Sequence, residues 1–162
     1  MKIRFGKKSD KKEYLITQKE AFPNTNLKRE SKFFSLKVKN KEIFILENNR
    51  KYVGHLCFGK HLISPPFASS IFLEEFAVKK KFRGKGYGTM LLKHVIAFCK
   101  KQKIEIIYLS TNNYKENKNF KYYRKLGFKK LGYLDNIAPD KEYKYGQVFF
   151  GLLVKNWGQR WK

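Results

Sequence analysis

The stretch Ile71 to Gln102 constrains this chain more than any other. It reads IFLEEFAV, then KKKFRGKGYG, then TMLLKHVIAFCKKQ. The first block is an apolar strand and the second a basic, glycine-rich turn. The third is an amphipathic helix with Leu91, Leu92, Val95, Ile96 and Cys99 on one face. A strand fed into a helix start through glycines exposes backbone N–H groups that no side chain covers. The helix dipole adds positive potential there, and Lys79, Lys80, Lys81, Arg83 and Lys85 add charge. Such a turn suits a phosphorylated ligand. The other reading is a strand–helix joint whose glycines serve only tight packing.

Two familiar phosphate loops are excluded by spacing. No Gly-Lys-Ser/Thr follows a first glycine at the Walker interval. The glycines run Gly84-x-Gly86-x-Gly88, which is not the dinucleotide fingerprint, and no acidic ribose ligand ends the next strand.

The length of 162 residues predicts one domain, 1–162, with no linker and no internal repeat. Lysines and arginines number 37 against 13 acids, for a formal charge of +24. A field of that sign attracts polyanions and repels polycations, so a nucleic-acid or ribosomal contact is one expectation and a lysine-rich but unpartnered surface is the other. Cys57 and Cys99 lie in apolar runs without companions at metal-ligand spacing, which predicts buried free thiols, no metal, and a reducing, cytoplasmic setting. No apolar run reaches the length of a membrane span, and the N-terminus lacks a signal-peptide core.

The remaining elements follow from periodicity and punctuation. Strands are predicted at 1–5, 42–47, 51–58, 71–78, 105–110, 129–134 and 147–154. Helices are predicted at 8–21, 27–38, the stretch after the glycine turn to Gln102, and 115–126. The apolar side of the first helix, Tyr14, Leu15 and Ile16, is weakly patterned. Asn48, Asn49 and Arg50 read as a hairpin turn, the segment from Gly59 to Ser70 and that from Asp135 to Asp140 as loops, and Gly127 as a left-handed helix cap.

Val78 followed by KKKFRGKGYGTMLL resembles the acyl-CoA-binding motif of the GNAT superfamily of N-acetyltransferases, Arg/Gln-x-x-Gly-x-Gly/Ala, at Arg83, Gly86 and Gly88. The proline often found two residues after the valine is replaced by Lys80. A second signature of that family, Tyr-x-x-x-Gly-Phe, is matched by Tyr123, Gly127 and Phe128 within NKNFKYYRKLGF. The resemblance runs from about Phe44 to Val154. It implies an α/β (α+β) fold with a mixed, mostly antiparallel central sheet and helices on both faces. The central strand and the one beginning near Glu105 would splay to admit acetyl-CoA. It implies coenzyme contacts from Phe76, Ala77 and Val78 and from Arg83, Gly84, Lys85, Gly86, Tyr87, Gly88 and Thr89. Asn113 and Asn119 join them. The family often has Asn seven and Ala four residues before the tyrosine, where this chain has Glu116 and Asn119, so Asn112, Asn113 or Asn117 would take over contacts to the pantetheine arm. Tyr123 would protonate the departing thiolate.

Glu74 and Glu75 stand side by side in an otherwise apolar strand. Neighbours on a strand face opposite ways, so one carboxylate meets the core or a cleft, which is costly without a role or a partner. An ion-paired or surface role is the plain reading. The chemical one is a general base that deprotonates an amine before it attacks a thioester, with Glu75 preferred and Glu74 next. His55, inside a strand, and His61, at a loop edge, are weaker candidates. By resemblance, a backbone N–H near Ala77 or Val78 would stabilise the oxyanion. Phe22, Phe33, Phe34, Phe67, Tyr143, Tyr145 and Trp157 would either line the acceptor site or belong to the core.

The expected activity is acetyl transfer to a primary amine, whether a protein N-terminus, a lysine or a small amine. The charge disfavours polyamine acceptors. The competing expectation is a nucleic-acid-binding module on the same fold, gripping phosphates through basic and aromatic residues such as those between Tyr114 and Tyr133. The expected state is a monomer or homodimer away from membranes.

Overall fold

The computed structural model describes residues 1–61, 69–113, 117–135 and 146–158. The strands are β1 (Lys2–Phe5), β2 (Ile43–Asn48), β3 (Lys51–His61), β4 (Ser70–Val78), β5 (Ile106–Asn112), β6 (Lys129–Leu134) and β7 (Gln147–Leu153). The helices are α1 (Lys11–Ala21), α2 (Leu27–Lys39), α3 (Tyr87–Lys101) and α4 (Asn119–Lys125). Seven strands form one mostly antiparallel sheet in the order β1-β2-β3-β4-β5-β7-β6. Residue contacts group the chain into two compact units: Met1–Gly59 with Leu73–Phe98, and Lys60–Phe72 with Cys99–Lys162.

In the first unit, β1, β2 and β3 pair antiparallel, with Ile3 opposite Leu46 and Ile45 opposite His55. Asn49 and Arg50 both take positive φ, 48° and 61°, so the predicted hairpin is a two-residue turn of the mirror type that matches strand twist. Alternation along β2 sorts its side chains. Ile43 and Ile45 join Tyr14, Phe34, Tyr52 and Cys57 beneath α1 and α2. Phe44 meets His94 and Phe98 of α3 at ring distances of 4.7 and 5.3 Å. Helices therefore cover both faces of this part of the sheet, and β2 is buried on both sides. Asn26 caps α2 by accepting the N–H groups of Lys28 and Arg29 at 3.0 and 3.2 Å. Arg4 ties β1 to the chain before α1 through two bonds to Asp10 at 2.8 and 2.7 Å, and it also holds Glu47.

In the second unit, β7 lies between β5 and β6, antiparallel to both. Its core is Ile107, Leu109, Tyr123, Phe128, Val148, Phe150 and Leu152. Phe72 of β4 packs on Tyr108 of β5 at 4.9 Å.

Several boundaries differ from the sequence expectation. The first helix opens as a single 3-10 turn at Lys8–Asp10 before α1. The second hairpin strand runs past Phe58 to His61, into the predicted loop. The β5 strand starts at Ile106 and ends at Asn112. The expected helix start at Lys115 lies outside the described residues; α4 is described from Asn119, just after Asn117 forms a turn whose Oδ1 accepts the N–H of Asn119 at 3.0 Å. The last strand stops at Leu153, where Val154–Asn156 turns as a 3-10 helix. Gly127 has φ 89°, as a left-handed cap requires. Among the described residues no helix is long and apolar enough to cross a membrane.

Candidate active site

The glycine turn belongs to the first unit. Its start is braced from two sides. Arg83 Nε donates to the Val78 carbonyl at 2.9 Å, and the Lys80 N–H donates to a carboxylate oxygen of Glu20 at 2.9 Å. Gly84 and Gly86 take φ of 77° and 78°, and a Cβ added at either would meet nothing within 4 Å. The packing explanation for these glycines is therefore not met. They serve the backbone conformation and leave an open surface. No acid lies in the first turn of α3, and Lys80, Lys81 and Lys85 are exposed beside it. These donors, dipole and charges fit a diphosphate.

The Glu74–Glu75 pair divides by partner. Glu74 is ion-paired with Lys37 of α2, which also contacts Glu42 at 3.1 Å and donates to the Phe58 carbonyl at 3.0 Å. Burial lowers the Lys37 pKa, but its bonds to Glu74 and Glu42 outweigh that and hold the ammonium above its usual range. Among the described residues Glu75 has no lysine partner. It is half-buried, and Gln18 of α1 is among the groups that set its charge state. Burial pushes its pKa up; the Gln18 amide opposes this, while Glu30 and Glu74 add to the rise and Arg29 opposes it. The result is about 7. A carboxyl that changes protonation near neutrality is equipped to take a proton from an amine.

His55 is fully buried, and burial pushes its pKa down to about 3. It stays neutral, bonded to Tyr52 and Gln18. The side chain of His61 lies outside the described residues. Cys57 and Cys99 are buried free thiols, as expected.

The second unit carries Tyr123, Asn113 and Asn119. Tyr123 is buried between Phe128 and Phe150, at ring distances of 5.7 and 5.9 Å, and burial raises its hydroxyl pKa. Asn113 donates its backbone N–H to the Gly146 carbonyl at 3.1 Å, and the exposed Asn119 reaches Thr111 Oγ1 at 3.4 Å. Asn117 ties the end of β5 to the chain before α4 through Thr111 Oγ1 at 3.1 Å and the Asn112 carbonyl at 2.5 Å. Phe34 is core, Phe33 lies under the Lys37 ammonium, and Trp157 lies under that of Lys100. Phe22 is exposed. Phe67, Tyr143 and Tyr145 lie outside the described residues.

Sequence reasoning missed Gln18, Glu20, Glu30 and Lys37. A signal was present for one of them, Gln18. The weak apolar pattern of α1 arises because Thr17 and Gln18 occupy buried positions where apolar residues are expected.

The fold and the sequence both have relatives. A ribosomal-protein-alanine N-acetyltransferase from Brucella melitensis superposes with a TM-score of 0.77 at 18% identity, covering 94% of this chain and 99% of that one. The yncA protein of Salmonella typhimurium, a putative acetyltransferase solved with acetyl-CoA, gives 0.75 at 16% identity, with 95% and 94% covered. An Arabidopsis thaliana protein in complex with the bisubstrate analogue CoA-Ac-MVNAL gives 0.74 at 21%, with 93% and 97% covered. No curated protein matches this chain. The model of the Acetyltransferase (GNAT) family matches residues 10–128. That match includes the open glycine turn, Glu75 and the Tyr123-to-Phe128 signature, and the chain accordingly belongs to the GNAT family of acetyl-CoA-dependent acetyltransferases.

Proposed function

We propose that this enzyme acetylates the α-amine of a polypeptide N-terminus, with Glu75 as general base. The observation that carries the reading is the half-buried Glu75 carboxyl on β4, which has no ion pair among the described residues and whose pKa burial raises to about 7. The relatives support the acceptor class: one is named for a ribosomal-protein alanine and another is bound to a peptide-bearing analogue. The net charge of +24 supports it as well, since it repels polyamines.

Acetyl-CoA supplies a thioester already activated toward amines. The backbone amides of Gly84 to Thr89 are assigned its diphosphate, with Lys85 adding charge and Arg83 bracing the turn. Phe76, Ala77 and Val78 are assigned to hold the acyl end, a backbone N–H at Ala77 or Val78 serving as hydrogen-bond donor. Asn113 and Asn119 are assigned to the pantetheine arm. Glu75 takes the proton from the ammonium, directly or through one water, and Tyr123 donates a proton to the leaving sulfur. Glu74 has no chemical step, because Lys37 holds it. The whole chain is read as one catalytic domain.

A turnover screen across N-terminal peptides, lysyl peptides, spermidine and small amines tests the acceptor. N-terminal peptides are expected to lead, and faster turnover of spermidine would overturn the assignment. The charge also supports a second contact, with RNA or a ribosomal surface. Binding to RNA that weakens steeply with salt is the expected sign.

A further inference from the structure

Two acids of α1 reach the chain that joins β4 to the glycine turn. Glu13 and Glu20 are about two helical turns apart and so share one face of α1. Glu13 is ion-paired with the Lys79 ammonium, and a carboxylate oxygen of Glu20 accepts the Lys80 N–H at 2.9 Å. The Glu20 carbonyl also accepts from Arg83 Nη2 at 3.5 Å. By local rules Glu20 is out of place. It stands in the last turn of α1, where the helix dipole disfavours an anion.

The needs of the Lys80 N–H explain the contact. Lys80 is the first residue of a 3-10 turn, Lys80–Phe82, and the first N–H of such a turn has no partner within it. The preceding residue often caps a turn with a side-chain oxygen. Here that residue is Lys79, whose side chain carries donors only. Glu20 supplies the missing acceptor from another element. The Lys80 carbonyl in turn accepts the Arg83 N–H at 3.2 Å, so the residue held by Glu20 also holds the one before Gly84. From the other side, the Lys79 N–H donates to the Val53 carbonyl at 2.9 Å. The approach to Gly84 is therefore set by β3 and α1 together.

We propose that Glu20 is a positioning residue for the coenzyme: its carboxylate caps the Lys80–Phe82 turn from α1 and fixes the direction in which the chain enters Gly84 to Thr89. The proposal rests on the reading of those backbone amides as the diphosphate site. An anion beside a site for an anion weakens binding by repulsion. The role therefore has a sign. If the carboxylate acted only through its charge, its removal would tighten coenzyme binding. As a cap, its removal loosens it. Proline suits the first position of such a turn, because its φ is preset and it has no N–H to satisfy. Lys79, at φ −51° and ψ 139°, already has the extended backbone that a following proline requires. Lys80→Pro therefore makes the Glu20 cap dispensable.

The test measures the Kd of coenzyme A by calorimetry in the full-length protein, for Glu20→Ala, Lys80→Pro and the double variant. In Glu20→Ala the Kd rises about fivefold, the scale of a lost cap. With acetyl-CoA and an N-terminal peptide, the KM for acetyl-CoA rises alike while kcat changes less than about twofold. In the Lys80→Pro background, adding Glu20→Ala raises the Kd less than about 1.5-fold. Wild-type or tighter affinity in Glu20→Ala overturns the proposal, as does an undiminished loss beside Lys80→Pro. If Lys80→Pro does not fold, hydrogen exchange of the Lys80 amide is read by NMR in the coenzyme-free protein. It is expected to be about fivefold faster in Glu20→Ala than in the wild type, and equal exchange overturns the cap. If Gly86→Ala leaves the Kd of coenzyme A unchanged, the diphosphate reading fails instead, and the Lys80 exchange still reports on Glu20.

Discussion

Lys37 of α2 and Glu74 of β4 are paired inside the first unit, where Lys37 is only 4% exposed. Removing one member of such a pair leaves a charge without its counter-ion. Lys37→Met is expected to lower the unfolding free energy by about 3–5 kcal/mol. Adding Glu74→Gln should restore part of the loss, though Glu42 and the Phe58 carbonyl still lack their donor. Urea denaturation of the two variants checks this. The pair raises the Lys37 pKa, so the contribution of the Lys37 charge is complete at neutral pH and is lost as pH rises through that raised pKa.

Burial of the Glu75 carboxyl makes stability depend on pH. Its pKa rises on folding from 4.5 to about 7, so the native state binds more protons than the unfolded state between those values. Stability therefore falls as pH rises through that window. Glu75→Gln should match the wild type below pH 4.5 and exceed it above pH 7 by about 2–3 kcal/mol. Thermal unfolding at the two pH extremes reads the difference. The same substitution should cost about 100-fold or more in kcat and abolish the rise of activity through pH 7.

Gly86→Ala isolates the backbone of the turn. A Cβ there meets nothing, so the cost comes from φ of 78° alone, about 1–2 kcal/mol. The turn either strains or relaxes, and the amides it aims lose alignment. The KM for acetyl-CoA is expected to rise about tenfold with a smaller change in kcat. An unchanged KM would remove the turn from coenzyme binding.

Tyr123→Phe keeps the ring between Phe128 and Phe150 and removes only the hydroxyl. A drop of about 100-fold in kcat, with an unchanged melting temperature, is expected of a general acid. Loss of stability without loss of rate would mark Tyr123 as a packing residue.

How far the sequence could be read depended on how local the cause was. The face Leu91, Leu92, Val95, Ile96 and Cys99 is buried to 0% exposure, since helical period and hydrophobicity suffice to specify it. The mirror-type turn at Asn49 and Arg50 and the cap at Gly127 were legible for the same reason. The start of α4 was not. It depends on Asn117 reaching Thr111 and Asn112, residues in the preceding strand.

The sequence by itself determined the strand–turn–helix unit, the family, and the presence of two adjacent acids on one strand. Only the tertiary structure decided which acid stays available. Lys37 and Gln18 stand 37 and 57 residues away from Glu74 and Glu75, with no periodicity linking them to β4. A carboxyl's charge state depends on burial and on neighbours within a few ångströms, and folding brings those neighbours from remote parts of the chain.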